Sequence, residues 1–208
     1  MQAMLKGELT TTQYIEFLFN LYPIVLNFCP IMGFAIGHCA DKNDDLRRYF
    51  YDHMFEEQGH EQLVLSDLRA FGVDSGLVLS RFPSAPVQAM LAFNYHGSAA
   101  NPVCALGMIY VLEIMAFSYG GKVARSVSAA MNRDISQGFT FLDSHAELDE
   151  DHIIKLKNLF SIISNEATDK ILLNSIKVNF YLFSNIISHK SDIHTSETLE
   201  VSNKVVGM

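Results

Sequence analysis

The chain has 208 residues and a mass of 23.3 kDa, with 49% hydrophobic and 18% charged residues. These proportions exclude a disordered or low-complexity protein and suffice for one domain with a sizeable core. Its 15 basic and 23 acidic residues give a net charge of −8, so neither nucleic acid nor an anionic membrane is an expected partner.

Apolar residues recur at steps of three and four along nearly the whole chain, a pattern that predicts an all-α fold. We expect a bundle of about six to seven helices in a single domain over residues 1–188, followed by a flexible polar tail over 189–208. Six helices are predicted in chain order at about 10–40, 43–71, 86–96, 98–131, 134–164 and 168–188, of which 86–96 is short, with a loop over 73–85. The first of them contains Pro23 and Pro30 and should bend near them.

The apolar segment 21–37 lies in the first predicted helix and approaches the length of a membrane span. Asn27 in its middle, its two prolines and the lack of a cationic anchor favour a buried helix over a membrane helix. The N-terminus lacks the features of a signal peptide. Cys29, Cys39 and Cys104 form an odd set without metal-type spacing, which indicates reduced thiols and a cytoplasmic location.

The most specific motif lies in the helix predicted over 134–164, where the sequence reads SHAELDEDH. His145, Asp149 and His152 are four and then three residues apart and therefore share one face of a helix. A His-x3-acid-x2-His match is expected by chance only about 0.03 times in a chain of this composition. Apolar neighbours such as Leu142 and Leu156 should hold this face close to the core, where ionised groups need a partner or a metal.

Two further acidic positions complete the set. Glu57 and His60 are three residues apart in HMFEEQGHEQL, with Glu56 beside them. This spacing alone is expected about 0.4 times by chance, and a solvated helix face is its alternative. Gly59 lies within the same predicted helix, where glycine costs about 1 kcal/mol relative to alanine. Glu113 is the only charged residue between positions 101 and 122, and a carboxylate in so apolar a helix needs a partner. A salt-bridged or protonated core glutamate is the alternative for Glu113.

Together these positions form one candidate ligand set of three imidazoles and three carboxylates: Glu57, His60, Glu113, His145, Asp149 and His152. Mixed histidine and carboxylate ligands on helices suit iron or manganese, and six ligands indicate two metal ions. A ferritin-like bundle is one scaffold for such a set, but it requires a glutamate on the first helix, where only Glu16 is available, and leaves His145 without a role.

The order and spacing of these motifs resemble those of the haem-oxygenase-like diiron oxidases and oxygenases. Helices of that superfamily supply Glu-x2-His, an isolated Glu and His-x3-Asp-x2-His in that order, and the resemblance covers residues 45–160. It implies a haem-oxygenase-like helical bundle with two irons, or a manganese and an iron, and O2 as co-substrate. The implied substrate is a small amino-acid, fatty-acid or aromatic molecule, with an external electron donor and a homodimer as further expected partners.

By the same resemblance, Glu57 and His60 would bind one iron together with one of the later histidines, and Glu113 and Asp149 would bridge or complete the pair. Some members carry a carboxylate seven residues before the first histidine, where this chain has His53. One member of the superfamily resembles an enzyme that consumes one of its own tyrosines in the reaction. This chain has Leu112 at the position of that tyrosine. Tyr110 and Lys122 are the reactive side chains expected near the metals.

Three other functions remain open from the sequence. A haem oxygenase on the same scaffold would need one axial histidine on an early helix, for which His38 is the candidate. A thiaminase-like hydrolase would use Cys104 as its nucleophile. The third is an iron-binding helical protein without catalytic turnover.

Overall fold

The computed structural model describes residues 2–40 and 43–188, with the side chains of 146–150 excepted. Ten α-helices and one π-helical segment occur in this part of the chain: α1 Gln2–Leu5, α2 Thr11–Gly37, α3 Asp44–Glu57, α4 Glu61–Ala70, α5 Ser75–Ser80, α6 Ala85–Ala100, α7 Val103–Met115, the π segment Ala116–Gly120, α8 Gly121–Ala130, α9 Thr140–Ile163 and α10 Glu166–Ser188. No strand occurs within these residues, so the predicted all-α class is confirmed. The predicted tail over 189–208 lies outside the described residues.

All the predicted helical segments contain helix, and the differences lie at their ends and at interruptions within 43–71 and 98–131. The loop predicted over 73–85 contains the short helix α5, because the Asp74 side chain accepts hydrogen bonds from the backbone N–H groups of Gly76 and Leu77 and so caps it. The predicted helix over 134–164 begins later than expected. Asp134 instead accepts hydrogen bonds from the backbone and hydroxyl of Ser136, which holds that segment in a turn, and α9 begins at Thr140.

The predicted continuous helix over 43–71 is wrong at its centre, where α3 ends and α4 begins. Gly59 has φ +90°, a left-handed conformation that a continuous helix does not contain. Nothing lies within 4 Å of the position that a Cβ of Gly59 would occupy, so the glycine serves the break between the two helices and not a close approach. The break places Glu57 at the end of α3 and His60 just before α4.

Helix α2 runs through the middle of the fold and contributes to both hydrophobic cores. Its second half packs with α3, α6, α7, α9 and α10, and its first half packs with α1, α4, α5, α8 and the start of α9. The candidate ligands lie on α3, α7 and α9 and in the turn before α4.

By length and composition, the stretches Thr11–Gly37 and Val103–Ala130 are both apolar enough to cross a membrane, and half of the most apolar window of each is buried inside the fold. A core helix meets the same criteria, so this is weak evidence for a membrane span.

The π segment lies directly after the helix that carries Glu113. It packs against α9 so closely that a Cβ on Gly120 would lie 2.8 Å from the backbone oxygen of Leu142. Only glycine permits this approach, which brings α9 against the end of α7. Since π-helical turns are frequent at functional sites, the segment indicates a functional site at this end of the bundle.

Candidate metal centre

The short turn between α3 and α4 places His60 beside Glu57, and both lie close to a histidine from α9. Nδ1 of His60 lies 2.9 Å from Oε2 of Glu57 and 3.1 Å from Nε2 of His145. One donor atom from each of these three residues can be chosen so that all lie within 4.8 Å of one another. We call these three residues group B.

A second group, which we call group A, consists of His53, Glu57, Glu113 and His152 and meets the same 4.8 Å criterion. Nε2 of His53 lies 3.1 Å from Oε1 of Glu113, and Nδ1 of His152 lies 3.1 Å from Oε2 of the same carboxylate. Nδ1 of His152 is also 3.5 Å from Oε1 of Glu57. All four residues are buried, and Glu57 belongs to both groups.

The electrostatics of both groups favour a bound cation. Burial opposes ionisation of Glu113, but the His152 and His53 imidazoles outweigh it and lower its pKa to about 2. The hydrogen bond with Glu57 raises the pKa of His60, and three nearby carboxylates raise that of His152 against the effect of burial. Burial lowers the pKa of His145, which favours the neutral imidazole that a metal requires.

Donor atoms at the centre of the cluster have no hydrogen-bond partner among the described residues. They are Nδ1 of His53, whose side chain is 1% exposed, and Oε1 of Glu57, whereas Nε2 of His53 contacts Glu113. Buried polar atoms are almost always paired, so these are the atoms that a metal ion would satisfy. Imidazole nitrogens and carboxylate oxygens are also the donors that iron and manganese prefer, and the residues present therefore fit such an ion.

The start of α9 is fixed from outside the helix by Asp67 of α4. Its carboxylate accepts hydrogen bonds from the backbone and hydroxyl of Thr140 at 3.0 and 2.6 Å and from the backbone of Phe141 at 2.9 Å. One turn later, Nδ1 of His145 lies 2.7 Å from the Phe141 carbonyl oxygen, which fixes the ring with Nε2 directed at His60. Sequence analysis did not identify Asp67, whose partners are distant in the chain.

A similar arrangement orients His152. Its Nε2 lies 3.3 Å from Oε2 of Glu56, and the other oxygen of Glu56 accepts a hydrogen bond of 2.5 Å from Lys155. Nδ1 of His53 is 4.0 Å from Oε2 of Glu56. The Glu56 carboxylate therefore stands behind both histidines of group A, on the side away from Glu113.

Five of the six predicted ligand residues are in the two groups, and the side chain of the sixth, Asp149, lies outside the described residues. Sequence analysis noted His53 but did not include it in the ligand set. A signal for it is present, because His53, Glu57 and His60 repeat the x3 and x2 spacing of His145, Asp149 and His152.

The residues of the alternative functions lie elsewhere. Glu16 forms an ion pair of 2.7 Å with Arg81 and does not enter either group. His38 caps the exposed end of α2, where its Nδ1 lies 2.9 Å from the Phe34 carbonyl oxygen. Burial raises the pKa of the Cys104 thiol, the opposite of what an activated nucleophile requires.

The two reactive side chains expected near the metals each contact an aromatic ring. The Tyr110 ring packs against that of Phe160, with 6.0 Å between the ring centroids. Lys122 is exposed, with its ammonium 5.9 Å from the Tyr119 ring centroid.

An apolar cavity of about 90 Å³ adjoins both groups. Glu57, Glu113 and His145 are the ionisable residues of its wall other than Tyr119, and the rest of the wall is apolar and comes from α1, α2, α10 and the segment around the π turn. The cavity gives a small apolar molecule access to the carboxylate and imidazole groups.

A helical bundle that buries two histidine and carboxylate groups around a shared glutamate defines a class of protein with a candidate dinuclear metal centre. A sequence model of the family described as iron-containing redox enzymes matches residues 15–169. The chain belongs to this family, and its membership of the haem-oxygenase-like superfamily is confirmed.

Solved structures support the same fold. A domain of unknown function with a haem-oxygenase-like fold from Shewanella denitrificans matches with a TM-score of 0.81 and 20% identity, over 99% of this chain and 85% of that one. A TenA homologue from Pseudomonas syringae matches with a TM-score of 0.73 and 15% identity, over 89% of this chain and 82% of that one. Comparison with curated protein sequences gives no match.

Proposed function

We propose that this protein is a non-haem diiron oxidoreductase that uses O2 to oxidise a small apolar organic substrate. The observation that carries the proposal is the position of Glu57, which is shared by two ligand groups beside an apolar cavity. Two ions held by one carboxylate and flanking imidazoles are typical of two-metal catalysis, with ions about 3.5–4 Å apart.

In this proposal group A would hold one iron and group B the other, and Glu57, which belongs to both groups, and Asp149 would supply carboxylate ligands. The irons, or a manganese and an iron, would supply the redox equivalents and the binding site for O2. The protein holds the imidazoles in place through the Phe141 carbonyl and Glu56.

The cavity has a separate task in the proposed reaction. Its apolar wall would bind the substrate and exclude water from the carboxylate and imidazole groups. Within the described residues the wall contains no lysine or arginine, which favours a substrate whose bulk is uncharged. This supports the aromatic or aliphatic members of the expected substrate range over a free amino acid.

We further propose that the enzyme works in the cytoplasm, alone or as a homodimer, with an external electron donor and without a nucleic-acid or membrane partner. The three free thiols and the net charge of −8 support this setting.

The test is metal content after anaerobic loading with Fe²⁺, followed by mixing with O2 while visible absorption and O2 consumption are recorded. We expect about two irons per chain. His53→Ala and His145→Ala should each lose iron from a different group, whereas the exposed His96→Ala should retain the wild-type content.

Equal iron content in wild type and both ligand variants would refute the assignment. Two bound irons without O2 consumption would instead favour an iron-binding protein without turnover. Tight haem binding that needs His38 would favour the haem reading.

A further inference from the structure

A second cavity borders the candidate metal centre and shares no wall residue with the apolar cavity. It is a groove of about 480 Å³ between α3 and α9, and its charged and polar wall includes Asp45, Arg48, Tyr49, Asp52, His53, Glu56 and Lys155. The apolar cavity reaches the centre at Glu57, Glu113 and His145, whereas the groove reaches it at His53. The centre is therefore bordered by two cavities of different chemistry.

Three carboxylates of α3 face this groove. Asp45, Asp52 and Glu56 are seven and four residues apart, the spacing of side chains on one helix face. Arg48 and Lys155 also border the groove and offset part of this charge. Asp45 and Asp52 are exposed, so they are available to a cation from solution.

Buried polar groups without a partner lie at the inner wall of the same groove. They are Nδ1 of His53 and the hydroxyl of Tyr49, in residues that are 1% and 9% exposed. The Tyr49 ring stacks on the His53 ring with 5.3 Å between centroids. An acidic groove that ends at a buried imidazole nitrogen without a partner has the donors that a divalent ion prefers.

Lys155 stands where such an ion would pass. Its ammonium contacts Glu56, and Glu56 in turn lies 3.3 Å from His152 and 4.0 Å from His53. The ion pair thus closes the inner end of the groove with a cation, which an arriving divalent ion would have to displace from Glu56.

The apolar cavity is a poor route for the same ion. A hydrated divalent cation loses its water in an apolar channel at a high cost in free energy, because no polar group replaces the hydration. Carboxylates along a path lower that cost and raise the local cation concentration.

We propose that this groove is the loading site for the divalent metal ion, with Asp45 and Asp52 attracting it and the Lys155–Glu56 ion pair controlling its passage to His53. The inference rests on the proposed function, since it presupposes a metal centre. It separates the two approaches to the centre, with metal from the α3–α9 side and substrate from the apolar side.

The test measures the rate at which the metal-free protein takes up Co²⁺, followed by stopped-flow absorbance at low ionic strength, where Co²⁺ reports imidazole and carboxylate ligation without oxidation. We expect Asp45→Asn and Asp52→Asn each to slow uptake about two- to five-fold, with unchanged stoichiometry and final spectrum. Lys155→Met should have the opposite effect and accelerate uptake about two- to five-fold.

The matched control is Glu8→Gln. Glu8 is exposed and follows α1, the helix that contributes Met4 to the wall of the apolar cavity. The Glu8→Gln substitution removes one negative charge, as Asp45→Asn and Asp52→Asn do, and should leave the uptake rate within about 1.5-fold of wild type.

The outcomes separate this inference from the proposed function. If wild type binds Co²⁺ but the Asp45 and Asp52 variants take it up at the wild-type rate, the loading site is refuted and the metal centre stands. Slowing by Glu8→Gln equal to that of the groove variants would also refute it, because net charge alone would then explain the effect. If wild type binds no Co²⁺ or Fe²⁺, both proposals fail.

Discussion

The Asp67 carboxylate is expected to stabilise both the fold and the position of His145. It accepts three hydrogen bonds from Thr140 and Phe141, at 2.6 to 3.0 Å, and supplies from α4 the cap that α9 lacks in its own sequence. A hydrogen bond to a charged group contributes about 1.5–3 kcal/mol, but desolvation of the buried carboxylate offsets part of the total, and loss of a helix cap alone costs up to about 2 kcal/mol. We therefore expect Asp67→Ala to lower the free energy of unfolding by about 3 kcal/mol.

For a chain of this size that loss corresponds to a fall in Tm of roughly 6–12 °C. Urea denaturation followed by far-ultraviolet circular dichroism measures the free energy, and Co²⁺ titration measures whether group B weakens as the start of α9 loosens. The control is Asp143→Asn, a half-exposed carboxylate in the first turn of the same helix, which should change stability by less than about 1 kcal/mol. A loss from Asp67→Ala no larger than that from Asp143→Asn would refute the capping role.

Three further results are expected. Gly59→Ala should lower the free energy of unfolding, measured by urea denaturation, by about 1–2 kcal/mol from its positive φ alone, because no atom lies near the added Cβ. An unchanged free energy of unfolding would show that the break between α3 and α4 does not need this conformation. Ala116→Phe should fill the apolar cavity and abolish fluorescence of a neutral apolar dye bound there, and dye binding equal to wild type would place the ligand elsewhere. Affinity for Co²⁺ should fall as the pH drops through the pKa values of His60 and His152, because protons then compete with the metal for the imidazoles. Since both pKa values are raised, the fall should begin above pH 6.5, and a decline that begins only below pH 6.5 would contradict this.

The helical class and the approximate helix positions could be predicted because hydrophobic periodicity is a local property of the sequence. The convergence of Glu57, His60, Glu113 and His145 was reachable for a related reason. Glu113 lies in an apolar helix and His145 beside apolar neighbours, where an ionisable side chain is costly without a partner, so the sequence indicates that a partner must exist. The identity of that partner is a tertiary property.

What could not be predicted depends on contacts between distant segments. Asp67 caps a helix that begins 73 residues later, and no local pattern distinguishes it from a surface carboxylate. The ion pair of Lys155 with Glu56 spans 99 residues in the same way.

The pairing of Glu57 with His60 was predicted for the wrong reason. Their spacing of three suggested a common face of one helix, but the chain breaks between them and the left-handed Gly59 turns His60 back toward the carboxylate. A spacing of three residues is therefore compatible here with one continuous helix or with two helices separated by a short turn, and only the glycine distinguishes the two.

The repeated spacing of the two histidine motifs gives the centre an approximate internal symmetry that its surroundings do not share. His53, Glu57 and His60 divide between the two groups, and so do His145 and His152, each motif placing one end in group A and the other in group B. Glu56 and the groove lie behind the group A histidines, whereas a backbone carbonyl and the apolar cavity adjoin His145 of group B. Two similar ligand sets in different dielectric settings hold their ions unequally, because a solvated neighbouring carboxylate and an apolar wall change the cost of the same charge. The asymmetry of the surroundings, more than the ligands themselves, would then give the two ions separate tasks.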